Sequence, residues 1–235
     1  MSTGRVERVG ERYLSHRMSK LPPKLPSFVP RDVYTLEQYL AIEAATGKRY
    51  EYHDGELVSV ESMAGGSYMH AVIAGNFVRE IGNALIAQEQ LDARLAGCNA
   101  TTSDLRIAVD GGKRYLYADA VVVCGAPKVD EEIPTAVANP IVVAEVVSPS
   151  SDHYDKHQKF DFYGALPSLR EYIILEQDDR RVEVRQRPDA NAAWSITVTV
   201  DAAGSVPLPA LGVELPMAGL YRGWARPEQG RRRIG

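Results

Sequence analysis

No stretch of this sequence stays apolar for long enough to cross a bilayer. The N-terminus is basic and polar, and no hydrophobic segment follows it, so no signal peptide is expected. Cysteine is nearly absent. Two residues in 235, Cys98 and Cys124, are too few for a disulfide framework and do not have metal-ligand spacing. They read as small core or strand-end residues of a protein kept in a reducing, cytoplasmic setting. An excess of positive charge is missing as well: 27 Lys and Arg against 31 Asp and Glu leave a net charge of −4. Proteins that grip nucleic acid through its phosphates are usually basic, so a tight, non-specific DNA binder is disfavoured. A nuclease is less affected, because its metal site is acidic and its basic groups can be local. There is no Walker loop, no Gly-x-Ser-x-Gly, no Rossmann fingerprint and no internal repeat, which removes the function classes those patterns carry.

What remains is an ordinary globular balance, 45% hydrophobic and 25% charged, in a length that suits one large domain. Residues 1–30, with Pro22, Pro23, Pro26 and Pro30, read as a flexible tail, residues 31–225 as the folded domain and residues 226–235, with Arg231–Arg233, as a second tail. Thr35-x-x-Gln38 is a capping box opening a helix that Gly47 can end. Lys48–Ser59 reads as a hairpin turning at Asp54-Gly55. After Gly65-Gly66-Ser67, the stripe Met69, Ile73, Phe77, Ile81 and Leu85 predicts a long amphipathic helix. Strands are expected at Ala93–Asn99, Asp104–Val109, Tyr115–Cys124 and Ile141–Val147, then a short helix over Asp152–Gly164 capped by Ser150 or Ser151. Further strands are expected at Glu171–Leu175, Arg181–Gln186 and Trp194–Val200. Pro207, Pro209 and Pro216 limit any later strand to a short or edge one. This order lacks the regular alternation of a doubly wound sheet. It fits an α/β (α+β) fold with a central mixed sheet flanked by helices.

Two acids interrupt runs that should be apolar. Asp119 lies in Tyr117-Ala118-Asp119-Ala120-Val121-Val122-Val123, and Glu145 in Ile141-Val142-Val143-Ala144-Glu145-Val146-Val147. A lone buried carboxylate is costly, and such groups neutralise, pair or bind metal. Either acid alone could sit at a strand end and meet solvent or an arginine. The pair, each flanked by aliphatic residues, points instead to an oxygen-rich site of the kind that suits Mg²⁺ or Mn²⁺. On the helix that follows, Lys159 shares a row with Tyr163 and Lys156 with Phe160, and spacing alone does not choose between the two lysines. His153 and His157 are four apart, a spacing seen at zinc sites, but no third ligand is evident and exposed histidines are the better reading.

These residues resemble the family of putative restriction endonucleases within the PD-(D/E)XK nuclease superfamily. The resemblance runs from Tyr34-Thr35-Leu36-Glu37-Gln38-Tyr39 through Arg49-Tyr50-Glu51-Tyr52-His53-Asp54-Gly55-Glu56-Leu57 and Ser67-Tyr68-Met69-His70. It continues in Asp104-Leu105-Arg106-Ile107, Tyr117-Ala118-Asp119, Ala144-Glu145-Val146-Val147-Ser148-Pro149-Ser150 and Lys159-Phe160, and closes with Pro167-Ser168-Leu169-Arg170-Glu171-Tyr172. It implies a restriction-endonuclease-like fold and Mg²⁺-dependent cleavage of DNA, with a homodimer expected because duplex cleavage needs two sites. It also implies that Asp119 and Glu145 are the motif acids and that Glu51 is the acid often supplied by an early helix or hairpin. Ala118 stands where the motif proline would be. Val147 stands where the motif lysine would be, so Lys159 is expected to replace that lysine, while the Val147 carbonyl offers a metal ligand. His70 is a candidate phosphate contact or acid, or a half-exposed histidine in a first helical turn. The competing reading is an inactive nucleic-acid-binding or protein-interaction module on the same fold. A weaker third is a hydrolase of another phosphodiester.

Overall fold

The computed structural model describes residues 33–60, 67–148 and 151–225. The expected tails, Gly65-Gly66, Pro149 and Ser150 lie outside these residues. Helix α1 (Leu36–Thr46) starts at the Thr35–Gln38 capping box and ends at Gly47, whose φ of 65° closes the last turn. Strands β1 (Tyr50–His53) and β2 (Glu56–Ser59) form the hairpin. Its two turn residues, Asp54 and Gly55, both have positive φ (50° and 102°), as a tight hairpin of this hand requires.

Helix α2 (Tyr68–Glu89) buries Ile73, Phe77, Ile81 and Leu85, the stripe read from the sequence. The strand expected at Ala93–Asn99 is instead a 3₁₀ turn at Ala93–Leu95, begun by the Asp92 side chain, and β3 spans Asn99–Thr102. After β4 (Arg106–Val109), the strand expected over Tyr115–Cys124 divides into β5 (Arg114–Tyr117) and β6 (Ala120–Val123). The two halves belong to different sheets, and Asp119 sits at the bend between them. Next come β7 (Ala136–Val137), β8 (Val142–Val147) and a π-helical segment, Tyr154–Lys159, running straight into α3 (Phe160–Gly164). The chain finishes with β9 (Glu171–Glu176), β10 (Val182–Gln186), β11 (Ser195–Thr199), β12 (Ser205–Leu208), β13 (Val213–Pro216) and α4 (Met217–Leu220).

A six-stranded mixed sheet, β11-β10-β9-β8-β6-β3, forms the centre, with β8 and β9 parallel and its other pairs antiparallel. A five-stranded sheet, β2-β1-β5-β4-β7, joins it through the β5–β6 bend. One face of the central sheet packs Val142, Ala144, Val146 and Ile173 against α2 and the C-terminal segment. The other packs Val143, Val147, Tyr172 and Ile174 against Tyr163, Leu166 and the inner residues Ile107 and Leu116 of the second sheet. Burial on both faces explains why β6 and β8 read as continuous aliphatic runs. A third cluster stacks Tyr39 of α1 on Tyr52 and Tyr115.

The reading of the cysteines is also overturned. Cys98 and Cys124 are joined as a disulfide, with no free cysteine among the described residues. They flank the Asn99↔Val123 pair, so the antiparallel β3–β6 register sets them side by side, a long-range consequence that cysteine counting does not capture.

Candidate active site

The bend between the sheets places Asp119 one step beyond the Ala120↔Ala144 pair, beside Glu145 in the middle of β8. Asp119 is partly exposed (19%), and its Oδ2 accepts the Val146 backbone N–H at 2.7 Å and lies 3.1 Å from His70 Nε2. Ser67 caps α2 by accepting the His70 N–H, which fixes the first turn and brings the imidazole over Asp119. Burial alone would lower the His70 pKa, but the hydrogen bond and charge of Asp119, with the Val146 carbonyl, raise it.

Glu145 points from β8 toward α3. It is almost fully buried, and its Oε1 receives Lys159 Nζ at 3.0 Å. Lys159, also buried, donates to the Tyr117 carbonyl at 3.0 Å and lies 3.4 Å from Glu51 Oε1 and 3.5 Å from Asp155 Oδ1. Desolvation works against its charge, yet Glu145, Glu51 and the other acids hold its pKa well above the usual lysine value. One ammonium cannot ionise three buried acids. Burial raises Glu145 and Asp155 even though Lys159 pulls both down. Burial also works on Glu51, but Lys159 and hydrogen bonds from His53 and Tyr154 outweigh it and keep this carboxylate ionised.

The structure therefore brings together Asp119, Glu145, Lys159, Glu51 and His70. Of the two lysines, Lys159 lies in this cluster, whereas Lys156 pairs with Asp152 and with Glu176 at 2.9 Å. Val147 is less suited to the part foreseen for it. Its side chain is in the core and its carbonyl already accepts the Gln177 N–H at 2.9 Å, whereas the Val146 carbonyl faces the His70 ring. His153 and His157 are exposed, with their rings tilted against each other and the centroids 5.0 Å apart. Ser151 bonds the Ser148 N–H and Asp155 rather than capping a free helical amide.

Tyr154, Asp155 and His53 also belong to this cluster, and the sequence reading gave them no role. Asp155 was accessible through its four-residue spacing from Lys159. Tyr154 was not, because only the π turn carries it to the same side.

Among the described residues no group of three or more His, Cys, Asp and Glu side chains is arranged to hold a metal by itself. Mg²⁺ does not need such a cage. One or two carboxylates, completed by waters and substrate phosphate, suffice, and Asp119 and Glu145 are hard oxygen donors of that type.

Over residues 36–218 the chain matches the model of the Uma2 family, described as "Putative restriction endonuclease". The chain belongs to this family. Two proteins of Synechocystis sp., the uncharacterized proteins sll1609 and slr1290, are similar to it in sequence. The first is 32% identical over 165 residues, 70% of this chain and 86% of the relative. The second is 28% identical over 189 residues, 80% and 92% of the two chains. In fold, this Uma2 chain resembles the crystal structure of a "putative nuclease belonging to DUF820" from Anabaena variabilis. The TM-score is 0.60 at 18% identity, covering 81% of this chain and 98% of the other. The Uma2 membership supports a nuclease-like function, and the structural likeness supports the mixed α+β fold.

Proposed function

We propose that this Uma2 protein is a Mg²⁺-dependent endonuclease that hydrolyses phosphodiester bonds of DNA at a PD-(D/E)XK-type site whose lysine has moved to the following helix. The observation that carries this reading is the convergence of Asp119, Glu145 and Lys159, with Lys159 Nζ 3.0 Å from Glu145 Oε1 although the two side chains come from different elements. Asp119 and Glu145 would hold the ion, with the Val146 carbonyl on the same side as His70 and Asp119. When bound, Mg²⁺ supplies a Lewis acid at the scissile phosphate and a more acidic water. Lys159 contributes positive charge that is already oriented, so it stabilises the charge growing on the phosphorane-like transition state without reorganisation. His70 donates toward Asp119 in the resting state and lies at the open side of the site, where it can contact a phosphate oxygen.

A homodimer accompanies this reading, since cutting both strands takes two sites. The reading is of a cytoplasmic protein, in which the Cys98–Cys124 bond would be reversible rather than permanent. No helix among the described residues is long and apolar enough to cross a membrane.

The test is cleavage of plasmid and single-stranded DNA with Mg²⁺, Mn²⁺ or EDTA. Asp119→Ala and Lys159→Ala should each lower metal-dependent cutting by roughly 100-fold or more. No cutting by folded wild type on either substrate would overturn the nuclease reading in favour of a binding module.

A further inference from the structure

Glu51 has a different set of neighbours from the other acids. A carboxylate offers about four lone-pair positions on its two oxygens. On Glu51 four donors surround them. Oε1 accepts the Tyr117 backbone N–H at 3.3 Å and has Lys159 Nζ at 3.4 Å. Oε2 accepts the Tyr154 hydroxyl at 2.5 Å and has His53 Nε2 at 3.4 Å. The same His53 nitrogen is 3.2 Å from the Tyr154 oxygen. The phenol proton is committed to Glu51, so the Tyr154 oxygen can only accept, which assigns the proton on His53 to Nε2. The side chain of Glu51 is wholly buried. Asp119, by contrast, is partly open to solvent, and both of its contacts fall on Oδ2.

We propose that Glu51 is a positioning residue rather than a metal ligand: Tyr154 and His53 clamp one of its oxygens so that the other fixes Lys159 against Glu145. Two local features build the clamp. Glu51 and His53 are two apart on β1 and so point to the same side of the strand, toward the site, while Tyr52 between them enters the tyrosine stack. Tyr154 and Lys159 are five apart, a spacing that an α-helix sends to different faces. The π segment superimposes them, and Lys159 Nζ lies 5.7 Å from the Tyr154 ring centroid. π turns of this kind are often found at functional sites. The ammonium is then held on several sides, by the Tyr117 carbonyl, Glu145 and Glu51, and cannot swing out of the site.

The inference rests on the nuclease reading only for its effect on cleavage; the clamp itself can be tested without it. Three variants are compared with wild type: Glu51→Gln, Tyr154→Phe, which removes a single hydroxyl, and Asp119→Asn. Titrations with Mn²⁺ followed by electron paramagnetic resonance should give wild-type affinity for the first two and weakened binding for Asp119→Asn. In cleavage, Glu51→Gln and Tyr154→Phe should lower kcat by roughly 10–100-fold while KM stays near wild type. A ¹⁵N-detected signal of the Lys159 ammonium, sharp in wild type because the group is held, should broaden or shift in both variants. Mn²⁺ affinity that falls as far in Glu51→Gln as in Asp119→Asn would overturn the proposal and make Glu51 a ligand. If wild type neither binds Mn²⁺ nor cuts, the nuclease reading fails, and the ammonium signal still decides: an unchanged signal in both variants removes the clamp.

Discussion

Glu171 opens β9 on the face of the central sheet away from Glu145, with only 1% of its surface exposed. Its Oε1 accepts the Ala210 N–H at 2.8 Å, but Oε2 has no partner among the described residues, nor does Oε1 of Gln186 directly opposite. Burial pushes this carboxyl up to about 7, with the Ala210 hydrogen bond opposing. Below the ordinary carboxylate range both folded and unfolded chains carry the proton and stability is complete. As pH rises toward 7 the unfolded chain ionises first, and stability is lost until the folded group ionises as well. The difference is on the order of 3 kcal/mol. Glu171→Gln keeps the acceptor for Ala210 and removes the titration. It should therefore be more stable than wild type at pH 8 and close to it at pH 4, measured by urea unfolding at both values. Equal stability of the two proteins at pH 8 would mean that Glu171 finds a compensating partner.

Among elements, the β3–β6 pair has the clearest energetic consequence. The Cys98–Cys124 bond closes a loop with a sequence separation of 26, and chain entropy assigns such a closure roughly 3 kcal/mol. Cys98→Ser, or reduction of wild type, should lower the denaturation midpoint accordingly. Identical midpoints with and without reductant would show that the cysteines stay reduced in solution.

How much of this could be read beforehand depended on how local each signal was. Thr35 with Gln38, Gly47, Asp54-Gly55 and the stripe from Ile73 to Leu85 act within a turn or two of chain, and all formed as read. The division of Tyr115–Cys124 left no mark, because residues on both sides of Asp119 are buried and apolar whichever sheet they join. The disulfide depended on a register between strands about twenty residues apart. In the site, Asp119 and Glu145 stood out as charges inside apolar runs, whereas Lys159 was set apart from Lys156 only by the family resemblance. Tyr154 did not, because a 3.6-residue period places it elsewhere.

At the scale of the whole molecule, the two sheets share one core rather than meeting as separate bodies. Ile107 and Leu116 from the five-stranded sheet pack in the same cluster as Val121, Val143 and Ile174 from the six-stranded one. Calorimetry should therefore show a single cooperative transition, with calorimetric and van't Hoff enthalpies in agreement. Two resolved transitions would show that the sheets unfold independently. The peptide that joins them, at Ala118–Asp119, is also the seat of an acid in the candidate site. Neither sheet is thus a portable module. A chimaera that grafted the central sheet of one Uma2 protein onto the outer sheet of another would place its crossover in the site itself. Tyr117, whose carbonyl holds Lys159, would come from one parent and Glu145 from the other, so such hybrids should tolerate swapped surfaces far better than a swapped joint.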